Sequence, residues 1–424
     1  MSRAPHTLPL ALYAAATGLF APLAPAVLRR RARAGKEDPL RIGERLGRPM
    51  TPRPQGPLVW LHGVSVGEGL SLIPLITALR ARRPDLNILV TTGTVTSAQV
   101  LAARLPDGVI HQFAPIDTPG AAARFLDHWR PGTALLVESE LWPNLIVAAD
   151  GRNIRLALLS ARITEASAKG WGRAPATARA LLQAFALVLP QDPATGARLA
   201  RLGADVGPCL NLKRLGDALP VEAASLAAVK AAAGARGIVL AASTHPGEEP
   251  LIAQAVKTGA PDALLIVAPR HPGRGPAIAA ELQGLGFQVA RRAAGEPPTL
   301  SVTAYVADTL GELGAFYAAA DAVVMGGSFV EGIGGHNPLE AARLGAAIVT
   351  GPWVANALDL YAEMFAEAAA IGACDATSLA GHIAGLLDNP RIIRRMGEAA
   401  ADYAGRQSAA LEGAIALIQP LLPA

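Results

Sequence analysis

The chain has 424 residues, 51% of them hydrophobic and 17% charged, which places it among folded proteins of two or three domains and excludes a disordered chain. Two cysteines, Cys209 and Cys374, exclude a disulfide framework and a multi-cysteine zinc module. The net charge of +4 is uneven: residues 1–53 hold ten basic side chains, Arg3 among them, against Glu37, Asp38 and Glu44, a balance of +7, so the rest carries −3 and does not bind nucleic acid by bulk charge.

The first element is an uncharged run of 22 residues, Thr7 to Leu28. About 20 helical residues span a bilayer core. Pro9 fits a first helical turn, but Pro22 and Pro25 fall in the last third, where proline removes a hydrogen bond and crowds the preceding turn. A helix ending near Ala21 keeps 13 residues and lies in the membrane interface instead of crossing it. Three readings compete: a cleaved signal peptide, an apolar helix packed on the body, and a membrane anchor. The basic cluster Arg29–Arg33 follows the run instead of preceding it. That favours the anchor, with the arginines and the body on the cytoplasmic side.

Beyond the anchor, short β-rich runs alternate with helical stretches. Strands are predicted at 58–62, 87–92, 134–138, 155–160, 187–190 and 205–208, with helices such as 67–82 and 118–129 between them. The second half repeats the style, with strands at 237–242, 263–268, 287–290, 304–306, 322–325 and 346–349. Strands separated by helices predict α/β architecture, two Rossmann-like parallel sheets covered on both faces. The predicted organisation is an anchor with its basic cluster at 1–33, a first domain at 34–210 and a second at 211–424, with the last helix able to pack back on the first domain. Ligands of such folds bind beyond the carboxyl ends of the strands, here in a central cleft that the two domains face.

The chemistry-bearing residues sit at those ends. His62-Gly63-Val64-Ser65-Val66-Gly67-Glu68 follows the first strand. Glu68 is either a general base or a carboxylate capping its own helix. Glu138-Ser139-Glu140-Leu141-Trp142-Pro143-Asn144 ends another strand, its two carboxylates on one side of an extended segment; Glu140 also suits a helix start. Arg162, after the next strand, binds an anion or pairs with a carboxylate. In the second half, Ser243-Thr244-His245-Pro246-Gly247-Glu248-Glu249 is an anion site or an ordinary helix cap. Pro269-Arg270-His271-Pro272-Gly273-Arg274 suits phosphate or carboxylate, or is a solvated basic loop. Leu310, Gly311 and Glu312 precede a helix and are ambiguous alone. The most specific segment is Gly326-Gly327-Ser328 followed by Gly334-Gly335-His336-Asn337-Pro338-Leu339-Glu340, a bare backbone leading into a helix start suited to phosphate, with Glu340 placed to accept from ribose hydroxyls. There is no GxxxxGK[ST], no G-x-G-x-x-G, and no HExxH or paired-cysteine metal motif in the chain.

Together, HGVSVGE, VESELWPN, SAR, STHPGEE, APRHPGR, DTLGEL and GGHNPLEAA, in this order, resemble the 3-deoxy-D-manno-octulosonic acid (Kdo) transferases of lipopolysaccharide synthesis. The resemblance runs over essentially the whole chain. It implies a GT-B fold, an N-terminal anchor at the cytoplasmic face of the inner membrane, and transfer of Kdo from CMP-Kdo to a lipid A precursor, without cofactor or metal. By position it implies Glu68 as catalytic base and Glu138 and Lys213 as helpers at the transition state. Pro269, Arg270, the turn Leu310–Glu312 and Asn337 to Glu340 would hold CMP. Ser65, Gly67, Glu140, Arg162, Ser243, His245, His271, Gly335 and His336 join them as candidate substrate contacts. Two departures stand out: Lys213 survives in the altered stretch 209–217, and the segment from Ser328 to Gly334 is one residue longer than usual. The chemistry agrees with the residues: an alcohol acceptor needs a base during attack, and a departing phosphate needs cations. Direct displacement would invert the anomeric centre. Two other classes stay open, a GT-B enzyme that transfers or epimerises a UDP-sugar and a membrane-bound scaffold without turnover. A donor panel separates the first, binding without turnover the second.

Overall fold

The computed structural model describes residues 7–216 and 218–424. Arg3 and Asp217 therefore lie outside the described residues. The chain divides into two compact units, Met1–Leu215 with Ala409–Ala424, and Gly216–Ser408.

The first unit is built on a parallel sheet of six strands: β1 (Leu58–His62), β2 (Asn87–Thr92), β3 (Ile110–Phe113), β4 (Thr133–Val137), β5 (Arg155–Ala161) and β6 (Phe185–Pro190). Their order is β3-β2-β1-β4-β5-β6, so the direction of winding reverses between β1 and β4. Apolar clusters cover both faces, one around Trp60, Phe125 and Trp129, the other around Leu61, Leu75 and Leu135. This is why the strands read as continuous apolar runs without alternation. The end of the chain belongs here too: Arg155 donates to the Pro420 carbonyl at 3.1 Å, and Pro423 packs on Gly132.

The second unit holds seven parallel strands: β7 (Ile238–Thr244), β8 (Leu264–Pro269), β9 (Val289–Arg291), β10 (Ala304–Val306), β11 (Ala322–Met325), β12 (Ile348–Thr350) and β13 (Ile371–Gly372). The order β13-β12-β11-β7-β8-β10-β9 places its reversal between β11 and β7. Apolar clusters again cover both faces.

Several expectations change. The run 205–208 is not a strand; it follows the edge strand β6 through isolated bonds, Gly207 N–H to the Val188 carbonyl at 2.9 Å and Leu210 N–H to Pro190 at 2.8 Å. Strands β3 and β13 were not expected. The helix predicted at 67–82 is two helices, Val66–Ser71 and Ile73–Arg82, because Pro74 opens a new first turn. The N-terminal helix does not end near Ala21. It runs as Leu8–Phe20, a 3₁₀ turn Ala21–Leu23, and Ala24–Arg33, 26 helical residues in all. Pro22 and Pro25 each fall at the start of a new helical segment, where a missing N–H costs little.

Candidate active site

Both windings reverse at the point where the predicted motifs lie. In the first unit, the loops after β1 and β4 flank the reversal, and such a point is where open sheets leave a crevice for ligands. The loop after β1 is tight: a Cβ on Gly63 would come within 2.9 Å of Glu68 Cβ and 3.0 Å of Val137. Ser65 caps helix Val66–Ser71, accepting from Glu68 N–H at 3.3 Å and donating its hydroxyl to Glu68 Oε1 at 2.7 Å. Val64 N–H donates to Glu68 Oε2 at 2.7 Å. Glu68 thus caps its own loop, yet each oxygen takes one bond, and the side chain is only partly covered.

Glu138, directly after β4, has φ of 60°, a left-handed conformation costly for a residue with a Cβ. Its Oε1 meets Lys213 Nζ at 2.5 Å, and Lys213 Cε lies 3.9 Å from the Cβ position of Gly67. Glu68's loop, Glu138 and Lys213 are therefore brought together. Lys213 is held from behind by a second strained residue, Ser160 (φ 50°), whose hydroxyl accepts from Leu212 N–H at 3.3 Å. Exposed Arg162 joins through its backbone, its N–H to the Glu138 carbonyl at 3.2 Å and its carbonyl to the Ser139 hydroxyl at 2.8 Å.

Glu140 is buried and faces inward. It accepts from the Trp142 indole N–H and lies 3.3 Å from His62 Nε2, while His62 Nδ1 lies 2.8 Å from the Thr91 hydroxyl. Trp60 closes the chain with an indole N–H to the same hydroxyl at 2.8 Å. The helix that follows, Pro143–Asp150, is capped from outside: Asp117 accepts from Asn144 N–H at 3.2 Å and Leu145 N–H at 2.9 Å, and from the Tyr13 hydroxyl at 3.0 Å. Burial pushes the Asp117 carboxyl up, against those three donors.

In the second unit, the loops after β7 and β11 flank the reversal. Ser243 is a third strained strand end (φ 58°). Glu248 is fully buried and accepts four backbone N–H groups: His245 at 2.8 Å, Gly327 at 2.7 Å, Ser328 at 3.0 Å and Phe329 at 2.9 Å. Glu249, also fully buried, takes a bidentate pair from Arg274 and the Thr244 hydroxyl. The glycine segment is thus organised around an internal anion. Gly335 N–H goes to the Gly327 carbonyl at 2.7 Å and Leu339 N–H to Asn337 Oδ1 at 3.0 Å. The N–H groups of Gly335 and Leu339 are thus taken up within the segment itself. The helix itself is one four-residue turn, Leu339–Ala342, led by Pro338, which has no N–H.

What faces outward there is cationic or imidazole. Arg270 and His271 are exposed after Pro269. His245 and His336 lie with Nε2 atoms 2.9 Å apart, and His271 is edge-on to His245 at 6.1 Å. Burial, with Arg270 and His245 nearby, pushes His336 down to about 4; burial likewise lowers His245. Burial raises the Glu340 carboxyl against Arg343 and Arg270. Leu310 is exposed and Gly311 takes φ of 93°, but Glu312 turns inward to Arg292, Ser225 and Thr309, and the Arg292 bond holds it down at about 2. Glu312 therefore braces the turn through its side chain. Sequence reading missed the bracing by His62, Asp117, Glu248 and Glu249; the only available signal was that three of them stand inside or beside a motif.

A family model described as 3-deoxy-D-manno-octulosonic-acid transferase (kdotransferase) matches residues 40–215. The chain is 39% identical over 353 residues to a probable mitochondrial 3-deoxy-D-manno-octulosonic acid transferase of Arabidopsis thaliana, covering 80% of this chain and 79% of that protein. It is 34% identical over 386 residues to the 3-deoxy-D-manno-octulosonic acid transferase of Bordetella pertussis, covering 88% and 90%. Among solved structures, a glycosyltransferase from Rickettsia africae superposes with a TM-score of 0.56 at 10% identity, over 87% of this chain and 99% of that one, a likeness of fold.

Proposed function

The chain belongs to the 3-deoxy-D-manno-octulosonic-acid transferase family of glycosyltransferases, and on that premise we propose that it moves Kdo from CMP-Kdo to a hydroxyl of a lipid A precursor, with Glu68 as the base. One observation carries the reading: Glu68, Glu138 and Lys213 converge at the reversal between β1 and β4. A carboxylate has four acceptor sites. Two of Glu68's are used, so it has room to take the acceptor's proton as the hydroxyl attacks the anomeric carbon. Attack opposite the departing phosphate inverts that centre.

Lys213, held to Glu138, offers a cation to the charge that grows as the donor is cleaved. In the second unit, Arg270, His271 and the His245–His336 pair supply the donors to the phosphate, and Glu340 the acceptor to the ribose. The first unit then acts on the lipid and the second on the nucleotide, with the N-terminal segment at the cytoplasmic face of the inner membrane. The test is CMP release by detergent-purified protein, with CMP-Kdo made in situ and a tetraacylated lipid A precursor. Mass spectrometry reads the lipid. A Kdo-modified lipid that disappears with Glu68→Gln supports donor, acceptor and base together. Turnover with a UDP-sugar and none with CMP-Kdo overturns the donor.

A further inference from the structure

The N-terminal helix is long and apolar enough to cross a bilayer, yet it is docked lengthwise on the first unit. Its covered positions, Leu10, Ala14, Thr17, Ala21, Ala24, Leu28 and Ala32, with Pro25 beside Ala24, step by four and three residues, the spacing of one helical face. Leu10 and Leu28 are buried, and Leu10 enters the core cluster around Phe125 and Trp129. Its first segment, Leu8–Phe20, rests on helices Pro119–Trp129 and Pro143–Asp150, and its last, Ala24–Arg33, on the short helix Ile42–Arg45. Polar groups fasten it: Thr7 and Thr177 hydroxyls at 2.8 Å, the Tyr13 hydroxyl to Asp117 at 3.0 Å, and Asn144 Nδ2 to the Thr17 hydroxyl at 3.0 Å. The opposite face carries Leu8, Leu12, Leu19, Phe20, Leu23 and Val27, all between 55% and 78% exposed.

A crossing helix in this arrangement would draw its supports into hydrocarbon. Helix Pro119–Trp129 bears exposed Arg124 and Asp127, and Asp127 pairs with Arg152 at 2.8 Å. Charged groups at that depth are costly. Undocking the helix instead would strip Asp117 of the Tyr13 hydroxyl and expose Leu10 and Leu28. Neither cost arises if the helix lies flat, with one face on the protein and the other in the acyl boundary. The helix ends in exposed Arg29, Arg30 and Arg33, followed by exposed Lys36, placed for anionic headgroups.

We propose that Leu8–Arg33 lies in the plane of the bilayer interface and does not cross it, seating the first unit on an anionic lipid surface by its outer apolar face. The inference rests on the membrane-surface part of the reading above. It adds a reason for that placement: the helix beneath the seat, Pro143–Asp150, begins directly after Glu138–Trp142, so a lipid acceptor meets those residues without leaving the membrane.

The test places single cysteines in the full chain, after Cys209→Ser and Cys374→Ser, at Leu12, Leu19, Leu23 and Ala14, each labelled with an environment-sensitive fluorophore. The protein is bound to phosphatidylcholine–phosphatidylglycerol vesicles whose quenchers sit at graded acyl depths. An in-plane helix gives one shallow depth for the labels at 12, 19 and 23, no quenching at 14, and less binding when phosphatidylglycerol is removed. Depth that changes steadily from 12 to 23, at about 1.5 Å per residue, overturns the proposal. Failure to float with vesicles while CMP release persists also overturns it and leaves Kdo transfer standing. One shallow depth in a protein that releases no CMP supports the seat and counts against the transferase reading.

Discussion

Glu68 and Glu248 occupy the same place in their units: a central strand, a loop, then a glutamate in the first turn of a helix. Their surroundings differ. Glu68 receives one backbone N–H and one hydroxyl and stays partly exposed. Glu248 receives four backbone N–H groups, three of them from the loop after β11, and is sealed. A carboxylate with four donors on its four acceptor sites has none left for a substrate. The difference arises in the neighbouring loop. Gly327, Ser328 and Phe329 fold over Glu248, whereas the segment after β4 directs Glu138 to Lys213 and Glu140 to His62. A first-turn glutamate keeps acceptor sites open or has them all filled according to what the adjacent strand's loop does.

The largest effect that would break this contrast lies at Glu68. Glu68→Ala is expected to lower the rate of CMP release by about 10²–10⁴, the worth of a general base, while stability falls only by the loss of a loop cap, about 1 kcal/mol. Near-normal turnover would remove Glu68 from the role. Glu248→Gln is expected to do the reverse. The amide keeps one oxygen and turns an NH₂ toward backbone N–H groups, and each buried donor left unpaired costs about 1–3 kcal/mol. The second unit should melt earlier, and CMP should bind more weakly by titration calorimetry as the 326–329 loop loosens. A Glu248→Gln protein that melts like the parent yet turns over nothing would merge the two roles.

Much of this was legible in sequence. Strands β1, β2, β10 and β11 stand where their apolar runs place them, and the motifs fall at strand ends because parallel sheets put their loops there. The misses have physical causes. Edge strand β3, Ile110-His111-Gln112-Phe113, is half polar because His111 bonds to Thr92 and Gln112 receives the Trp129 indole. Strand β13 has only two residues. Pro22 and Pro25 read as breakers, but each falls in the first turn of a new segment, the 3₁₀ turn Ala21–Leu23 and the helix Ala24–Arg33. Nothing in the residues of the glycine segment tells that Gly327, 79 positions after Glu248, and its two followers give their backbone N–H groups to that carboxylate.

A smaller effect sharpens the contrast at Lys213. Its pair with Glu138 is half exposed on the lysine side, so Lys213→Met should cost stability no more than about 1 kcal/mol. Its loss should fall on kcat with the melting temperature retained. Glu249→Gln, which leaves Arg274 facing a neutral amide in a sealed site, should lower the melting temperature more than Lys213→Met does. Equal melting of the two variants would erase the distinction between working and bracing carboxylates.

The smallest effect is a pH slope that separates the units by ligand. Each holds a histidine pushed down to about 4: His111 by burial and then Arg41, His336 by burial and then Arg270 and His245. A histidine whose folded value lies below its ordinary 6.5 takes up a proton on unfolding between the two values, so stability falls as pH drops from about 6.5 to 4. His111→Asn or His336→Asn should each flatten that slope in urea melts. Only His336 stands beside the cations proposed for the donor phosphate, and a bound dianion opposes the Arg270 field that keeps the ring neutral. Saturating CMP should therefore raise the His336 titration, followed by imidazole resonances in NMR, and leave His111, whose ring faces Arg41 and Thr92, where it was. Equal movement of both would mean that CMP acts on the chain as a whole. No movement at His336 would place the phosphate away from the His245–His336 pair.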